Sequence, residues 1–152
     1  MEERLTRWME RLSDAFGAPG FEEDVAGVLK EWAGDAYLSE EDGMHNLRLY
    51  PKGQKQDRCV MLEAHLDEVG FMVQSIQENG TLSFLPLGDW HAQNIPAHRV
   101  RIRTRQGDIP GVIATKPPHF MAKEERERLV PISAMAIDVG AHGRQDAIET
   151  YG

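Results

Sequence analysis

The sequence predicts an α/β domain carrying an inserted small β-barrel or sandwich. Three observations carry this. Two amphipathic helical stretches open the chain. An apolar run, Cys59-Val60-Met61-Leu62, then leads into the polar cluster Glu63-Ala64-His65-Leu66-Asp67-Glu68. From Gly70 onward, short alternating segments separated by turn residues replace the helical pattern.

The elements follow in order. Leu5, Trp8, Met9, Leu12 and Phe16 recur at helical spacing, and Gly17-Ala18-Pro19-Gly20 ends that helix. Glu22, Glu23 and Asp24 place negative charge where a second helix begins, which suits its dipole. Val25, Val28, Leu29 and Trp32 form the second apolar stripe, and Gly34 stands where a C-terminal cap belongs. Both stripes are expected to be core. Ala36 to Ser39 and Asn46 to Tyr50 flank a turn at Glu41-Asp42-Gly43, and Pro51-Lys52-Gly53 makes the next turn. The run from Cys59 reads as a strand buried on both faces.

After Gly70, Phe71 to Ile76 and Thr81 to Leu85 flank Glu78-Asn79-Gly80, a hairpin signal. Val100, Ile102 and Thr104 alternate with Arg99, Arg101, Arg103 and Arg105, a half-buried strand with a cationic face. That face is either simply solvated or pairs with an acidic partner surface. Gln106-Gly107-Asp108 turns the chain into Ile109 to Ala114. A Lys116-Pro117-Pro118-His119 corner, a short charged helix from Lys123 to Arg128 and a strand from Ala134 to Val139 follow. Arg144 to Tyr151 reads as a helix with Gly152 as its cap.

Bulk properties narrow the function classes. The 152 residues suffice for one ordinary domain or two small ones, and a net charge of -8 opposes general affinity for nucleic acid or anionic lipid. No apolar segment approaches the roughly 20 residues that span a bilayer. The charged first twenty residues do not read as a signal peptide, and Cys59, the only cysteine, allows no internal disulfide. A cytoplasmic location is expected, without membrane or nucleic-acid partners.

The chemistry concentrates at His65 and Asp67. A histidine and a carboxylate two residues apart at the end of a strand could be a metal ligand and the group that orients it. The plainer reading is a strand ending in a polar turn, with His65 merely hydrogen-bonded.

The chain resembles the N-terminal portion of the tetrahedral (TET) aminopeptidases, a family of two-metal metallopeptidases that includes glutamyl and deblocking aminopeptidases and is often labelled endoglucanase. The resemblance rests on Leu12-Ser13-Asp14-Ala15-Phe16-Gly17-Ala18-Pro19-Gly20-Phe21-Glu22, on Asp42 to Asn46 and on Ala64-His65-Leu66-Asp67-Glu68-Val69-Gly70. It continues through Gly107 to Lys116, Pro117-Pro118-His119 and Ile137-Asp138-Val139-Gly140-Ala141. It implies the start of a metallo-aminopeptidase (phosphorylase/hydrolase-like) α/β domain with an inserted β-barrel dimerisation domain that drives assembly into homo-oligomers. The implied division is 1–69 for the first part of the catalytic domain, 70–131 for the insert and 132–152 for a return to a truncated catalytic domain. The implied cofactors are two divalent ions, zinc or cobalt, acting on a peptide substrate. His65 aligns with a metal ligand and Asp67 with the aspartate that holds its ring. Glu68 inherits no role. His119 either reaches a neighbouring subunit's active site or holds a hydrogen bond in a rigid turn.

The sequence departs from the family where His45 and Asp89 replace glycines, and where His142-Gly143 replaces small polar residues. The family's metal-bridging aspartate, consecutive Glu-Glu pair, further aspartate and last histidine have no counterpart in these 152 residues. Glu124-Glu125 lies on the charged helix and reads as a solvated face. The chain is therefore expected to be a fragment, a split gene product or a remnant that does not hold two metals stably alone. A non-catalytic interaction module derived from such an enzyme is the alternative. A glucanase is a weaker third reading, because no pair of carboxylates marks a sugar cleft.

Overall fold

A computed structural model describes residues 2–53 and 59–151. The chain divides into two compact units, Met1–Glu68 and Val69–Gly152.

In the first unit, helix α1 (Glu2–Asp14) and helix α2 (Glu23–Ala33) precede a hairpin of strands β1 (Tyr37–Glu41) and β2 (Leu47–Pro51). Glu23 and Asp24 fall in the first turn of α2, as the dipole argument requires. Gly34 closes α2 at φ 51°, its N–H donating to the Lys30 carbonyl. The expectation that both helical stripes are core holds only in part. Of the α2 stripe Val25 is buried, Val28 and Leu29 are half-buried and Trp32 is 46% exposed, while α1 buries no residue fully, with Leu5 63% and Met9 60% exposed. A two-helix, one-hairpin unit has too few layers to cover a second helical stripe.

Asp42 organises the β1–β2 turn. Its carboxylate accepts from the N–H groups of Met44 (3.0 Å) and Asn46 (3.1 Å), from the Asn46 side chain and from Arg48. These donors, the Asn46 side chain foremost, hold its carboxyl below the usual carboxylate range. The turn also places His45 at φ 62°, where glycine would be unstrained. His45→Gly is expected to stabilise this unit by about 0.5–1 kcal/mol, the relieved strain less glycine's chain entropy. The lost contact of His45 with Glu41 is solvent-exposed and weak. The urea midpoint of the hairpin amide signals measures the effect.

The second unit is a five-stranded antiparallel sheet of β3 (Gly70–Ile76), β4 (Leu82–Leu87), β5 (Arg99–Thr104), β6 (Gly107–Ala114) and β7 (Ala136–Asp138). Their order is β3-β4-β7-β6-β5. Two hairpins, β3–β4 and β5–β6, are bridged by the short β7. Ile137 stands opposite Leu82 on one side and Ile113 on the other. Among the described residues β3 and β5 stand at the two ends of this sheet. The joining strand β7 has three residues and meets β4 through a single residue pair.

The core contains Leu82, Phe84, Ile95, Ile113, Met135 and Ile137. Phe71 meets Phe84 edge-on at 4.7 Å and stacks on Trp90 at 4.6 Å, while the Trp90 indole N–H donates to the Gly70 carbonyl. Helix α3 (Lys123–Arg126) is one charged turn, and helix α4 (Arg144–Tyr151) ends the described chain. The α4 helix is tied to β3 by Arg144, whose guanidinium donates to the Ile76 carbonyl. The predicted cap Gly152 lies outside the described residues.

Candidate active site

The segment expected as a central strand is not one. Residues 59–69 form no regular element, and Val60, Met61 and Leu62 are 89%, 80% and 93% exposed. A strand buried on both faces needs a neighbour on each edge and a layer over each face. The first unit's only sheet, among the described residues, is the β1–β2 hairpin.

The end of the segment is nevertheless anchored. The Glu68 N–H donates to the Gly17 carbonyl at 2.8 Å. A Cβ at Gly17 would lie 2.9 Å from Val25 Cγ2 of α2 and 3.4 Å from the Leu66 carbonyl oxygen, so a side chain there would press on α2 and only touch the segment.

His65 and Asp67 meet. The His65 Nδ1 lies 2.8 Å from the Asp67 main-chain carbonyl and 3.3 Å from its Oδ1. A carbonyl only accepts, so Nδ1 is the donor in this contact, which leaves Nε2 as the ring nitrogen available to another partner. The expected partner was the carboxylate, but the shorter contact is to the backbone. The imidazole is 85% exposed.

Whether these residues fit a metal can be judged from the donor set. A catalytic zinc takes about three protein ligands. Among the described residues no three His, Cys, Asp or Glu side chains converge. The donors among the described residues do not by themselves fit a catalytic metal.

The other histidines and carboxylates are separately placed. His119 sits in the turn Pro118–Phe120, exposed, with its ring 5.5 Å from that of Phe120. His91 and His98 are exposed, as expected of a Pro-containing loop. Glu125 accepts from the Lys116 ammonium at 2.9 Å and from the Ala122 N–H at 2.7 Å; Lys116 foremost holds its carboxyl below the usual range. That is a structural role in a short helix, not that of a base. At the Asp89 departure, the left-handed residue is the preceding Gly88, φ 79°, so aspartate is accommodated there without strain.

Sequence reasoning missed the role of Asp108. It stands opposite Arg103 on β6, 3.2 Å from the Arg103 Nε and 3.5 Å from the Arg101 Nε. The signal was available: a two-residue turn at Arg105-Gln106 sets that register.

Comparisons with known proteins give the family of the chain. The structure superimposes on the TET aminopeptidase of the marine sediment archaeon Thaumarchaeota archaeon SCGC AB-539-E09 with a TM-score of 0.90 and 36% identity. That match covers 97% of this chain and 42% of the other. It is also similar to PhTET1-12s, solved as a dodecamer, at TM-score 0.81 and 25% identity over 96% of this chain and 42% of that one. The glutamyl aminopeptidase of Lactococcus lactis is 35% identical over 117 residues, covering 74% of this chain and 33% of that protein. The M42 glutamyl aminopeptidase family matches residues 45–151, and the chain belongs to it. The chain spans about two fifths of the length of the curated relatives it matches, 39% and 41% in two cases and 33% in a third.

Proposed function

We propose that this chain supplies part of a metal-dependent aminopeptidase that releases N-terminal residues from peptides. In this reading His65 is one ligand of a two-metal site of zinc or cobalt, and Asp67 positions its ring. The remaining donors and the general base come from polypeptide beyond the 152 residues. Residues 1–69 belong to the catalytic α/β domain and 70–131 to an inserted dimerisation domain. Residues 132–152 lead back, with β7 bracing the insert. The protein assembles as a homo-oligomer in the cytoplasm, and His119 is an accessory residue. The observation that carries the reading is the Nδ1 contact of His65 with Asp67, 2.8 Å to the carbonyl, which presents Nε2 outward within the family-matched segment.

A second reading, a non-catalytic interaction module of the same descent, is favoured by one observation: no three-donor group forms among the described residues. The two readings part on activity. The 152-residue chain alone is expected to show no turnover of aminoacyl p-nitroanilides with added zinc or cobalt. The longest reading frame containing these residues is expected to hydrolyse them, and His65→Ala to lower kcat/KM by about 100-fold or more. Asp67→Asn is expected to keep the Nδ1–H tautomer in nitrogen-15 spectra, since the main-chain carbonyl still accepts. Full activity without His65 would refute the assignment. A longest frame that never turns over substrate, yet forms oligomers by light scattering, would favour the module.

A further inference from the structure

We propose that Asn79, in the turn between β3 and β4, is a latent deamidation site. The turn and residues 141–144 packed on it hold the site closed, and their separation releases it. The site owes nothing to the aminopeptidase reading.

The sequence supplies the reactants. In an Asn-Gly pair the glycine nitrogen attacks the asparagine Cγ, forming a C–N bond, and the amide nitrogen leaves as ammonia with the glycine proton. Water then opens the succinimide at either carbonyl, leaving aspartate or isoaspartate, with no oxidation or reduction. A side chain on the residue that carries the attacking nitrogen hinders the first step. Asn46 and Asn94 precede Leu47 and Ile95, so of the three asparagines only Asn79 has an unhindered neighbour, Gly80.

The turn geometry withholds the attack. The Gly80 N–H donates to the Gln77 carbonyl at 2.9 Å and the Gln77 N–H to the Thr81 carbonyl at 2.8 Å. Gly80 is left-handed at φ 88°, whereas Glu78 and Asn79 are not. That is a type I turn closed by a left-handed glycine, in which the second central residue, Asn79, has ψ about 0°. At this angle the Gly80 nitrogen eclipses the Asn79 nitrogen about the Cα–C bond. Ring closure needs it to eclipse Asn79 Cβ instead, a rotation that carries Gly80 out of the turn. The Asn79 Oδ1 accepts from the Thr81 N–H at 3.1 Å and from its hydroxyl at 2.8 Å. Those donors polarise Cγ towards attack, so it is the placement of the nitrogen, not the state of the amide, that stops the reaction.

Residues 141–144 hold the turn in that geometry. A Cβ at Gly80 would lie 2.9 Å from the Ala141 carbonyl oxygen and 3.0 Å from the Gly143 nitrogen, so backbone atoms wall one side of the glycine. The Arg144 N–H donates to the Glu78 carbonyl at 3.1 Å, and its guanidinium donates to the Ile76 carbonyl. Arg144 therefore grips both the end of β3 and the first central residue of the turn. Deamidation is far slower than local opening, so its rate follows the population in which this contact is open. Isoaspartate adds a methylene to the main chain beside Gly80. A turn that contains it no longer fits against residues 141–144, which makes the product an irreversible record of opening.

The test follows deamidation of the 152-residue chain by peptide mass spectrometry, in native buffer and in denaturing guanidinium chloride at the same neutral pH. Isoaspartate and aspartate peptides are separated by chromatography. In denaturant Asn79 is expected to react faster than Asn46 and Asn94. In native buffer it is expected to react at least about a hundredfold more slowly than in denaturant. Arg144→Ala is expected to raise the native rate at Asn79 about tenfold and to leave Asn46 and Asn94 unchanged. Equal rates in native buffer and denaturant would overturn the proposal, since the turn would then give no protection. A native rate unmoved by Arg144→Ala, or a rise shared by all three asparagines, would overturn the role given to residues 141–144. Should the variant fail to fold, hydrogen exchange of the unaltered protein decides. The ratio of native to denatured deamidation rates is expected to match the open fraction that the Gly80 amide reports, and a mismatch beyond about tenfold would overturn the gating.

Discussion

Replacing Ile137 by alanine is expected to destabilise the second unit by about 3–4 kcal/mol. Ile137 is 2% exposed on the shortest strand of the sheet, flanked by Leu82 and Ile113. Its Cγ2 lies 2.7 Å from where a Cβ at Gly111 would stand, so Ile137 fills the space that the missing side chain of Gly111 leaves. Truncation removes buried methyl groups and opens a cavity at the one place where the two hairpins join. In the ladder itself β7 meets β4 through one residue pair. Ile137→Val should cost only about 1 kcal/mol, because it removes a single methylene. Urea titrations followed by the amide signals of β4, β6 and β7 would measure both, free of the first unit's transition. Against a domain stability of about 5–15 kcal/mol, the alanine variant should lose a large part of its margin. A loss below about 1 kcal/mol would show that β7 is not the brace described here.

Gly80→Ala is expected to lower the stability of the same unit by about 2–4 kcal/mol, for two separable reasons. Gly80 has φ 88°, a conformation that costs an L-residue about 1–2 kcal/mol. A Cβ there would also stand 2.9 Å from the Ala141 carbonyl oxygen and 3.0 Å from the Gly143 nitrogen. Both are backbone atoms, which cannot rotate aside. The turn is otherwise well held: Asn79 accepts from the Thr81 N–H and hydroxyl, and the Gly80 N–H donates to the Gln77 carbonyl at 2.9 Å. Gly53 provides the control. It has φ 77° but, among the described residues, nothing within 4 Å of its would-be Cβ, so Gly53→Ala should show the conformational part alone. Equal losses at the two sites would mean that the approach of the segment after β7 to the β3–β4 turn is unimportant.

These residues also show how far sequence reasoning reached. The Asn-Gly pair at 79–80 announced the β3–β4 hairpin, because a turn of that hand needs a left-handed residue. The departure at His45 was readable for the same reason, and the structure places it at φ 62°. What the turn could not announce was that Gly80 must also clear Ala141, far along the chain. The Arg alternation of β5 was plain. Its pairing with Asp108 depends on which strands are neighbours.

The sequence by itself determined the local elements and the family. Helical spacing, charge at the start of α2, a glycine after its last turn and turn residues between alternating runs act over a few residues, and each is written in consecutive letters. The order and spacing of motifs from Leu12 to Ala141 likewise placed the chain among the M42 aminopeptidases. Only the tertiary structure decided the rest. It put the three-residue β7 between two hairpins, set Asp108 opposite Arg103 and made the Asp67 carbonyl the nearer partner of His65. It also left Val60, Met61 and Leu62 exposed although their pattern is that of a buried strand. The physical reason is that an apolar run states only that burial would be favourable. Whether it is buried depends on edges and layers supplied from elsewhere, and the first unit, a helix pair and one hairpin, does not supply them.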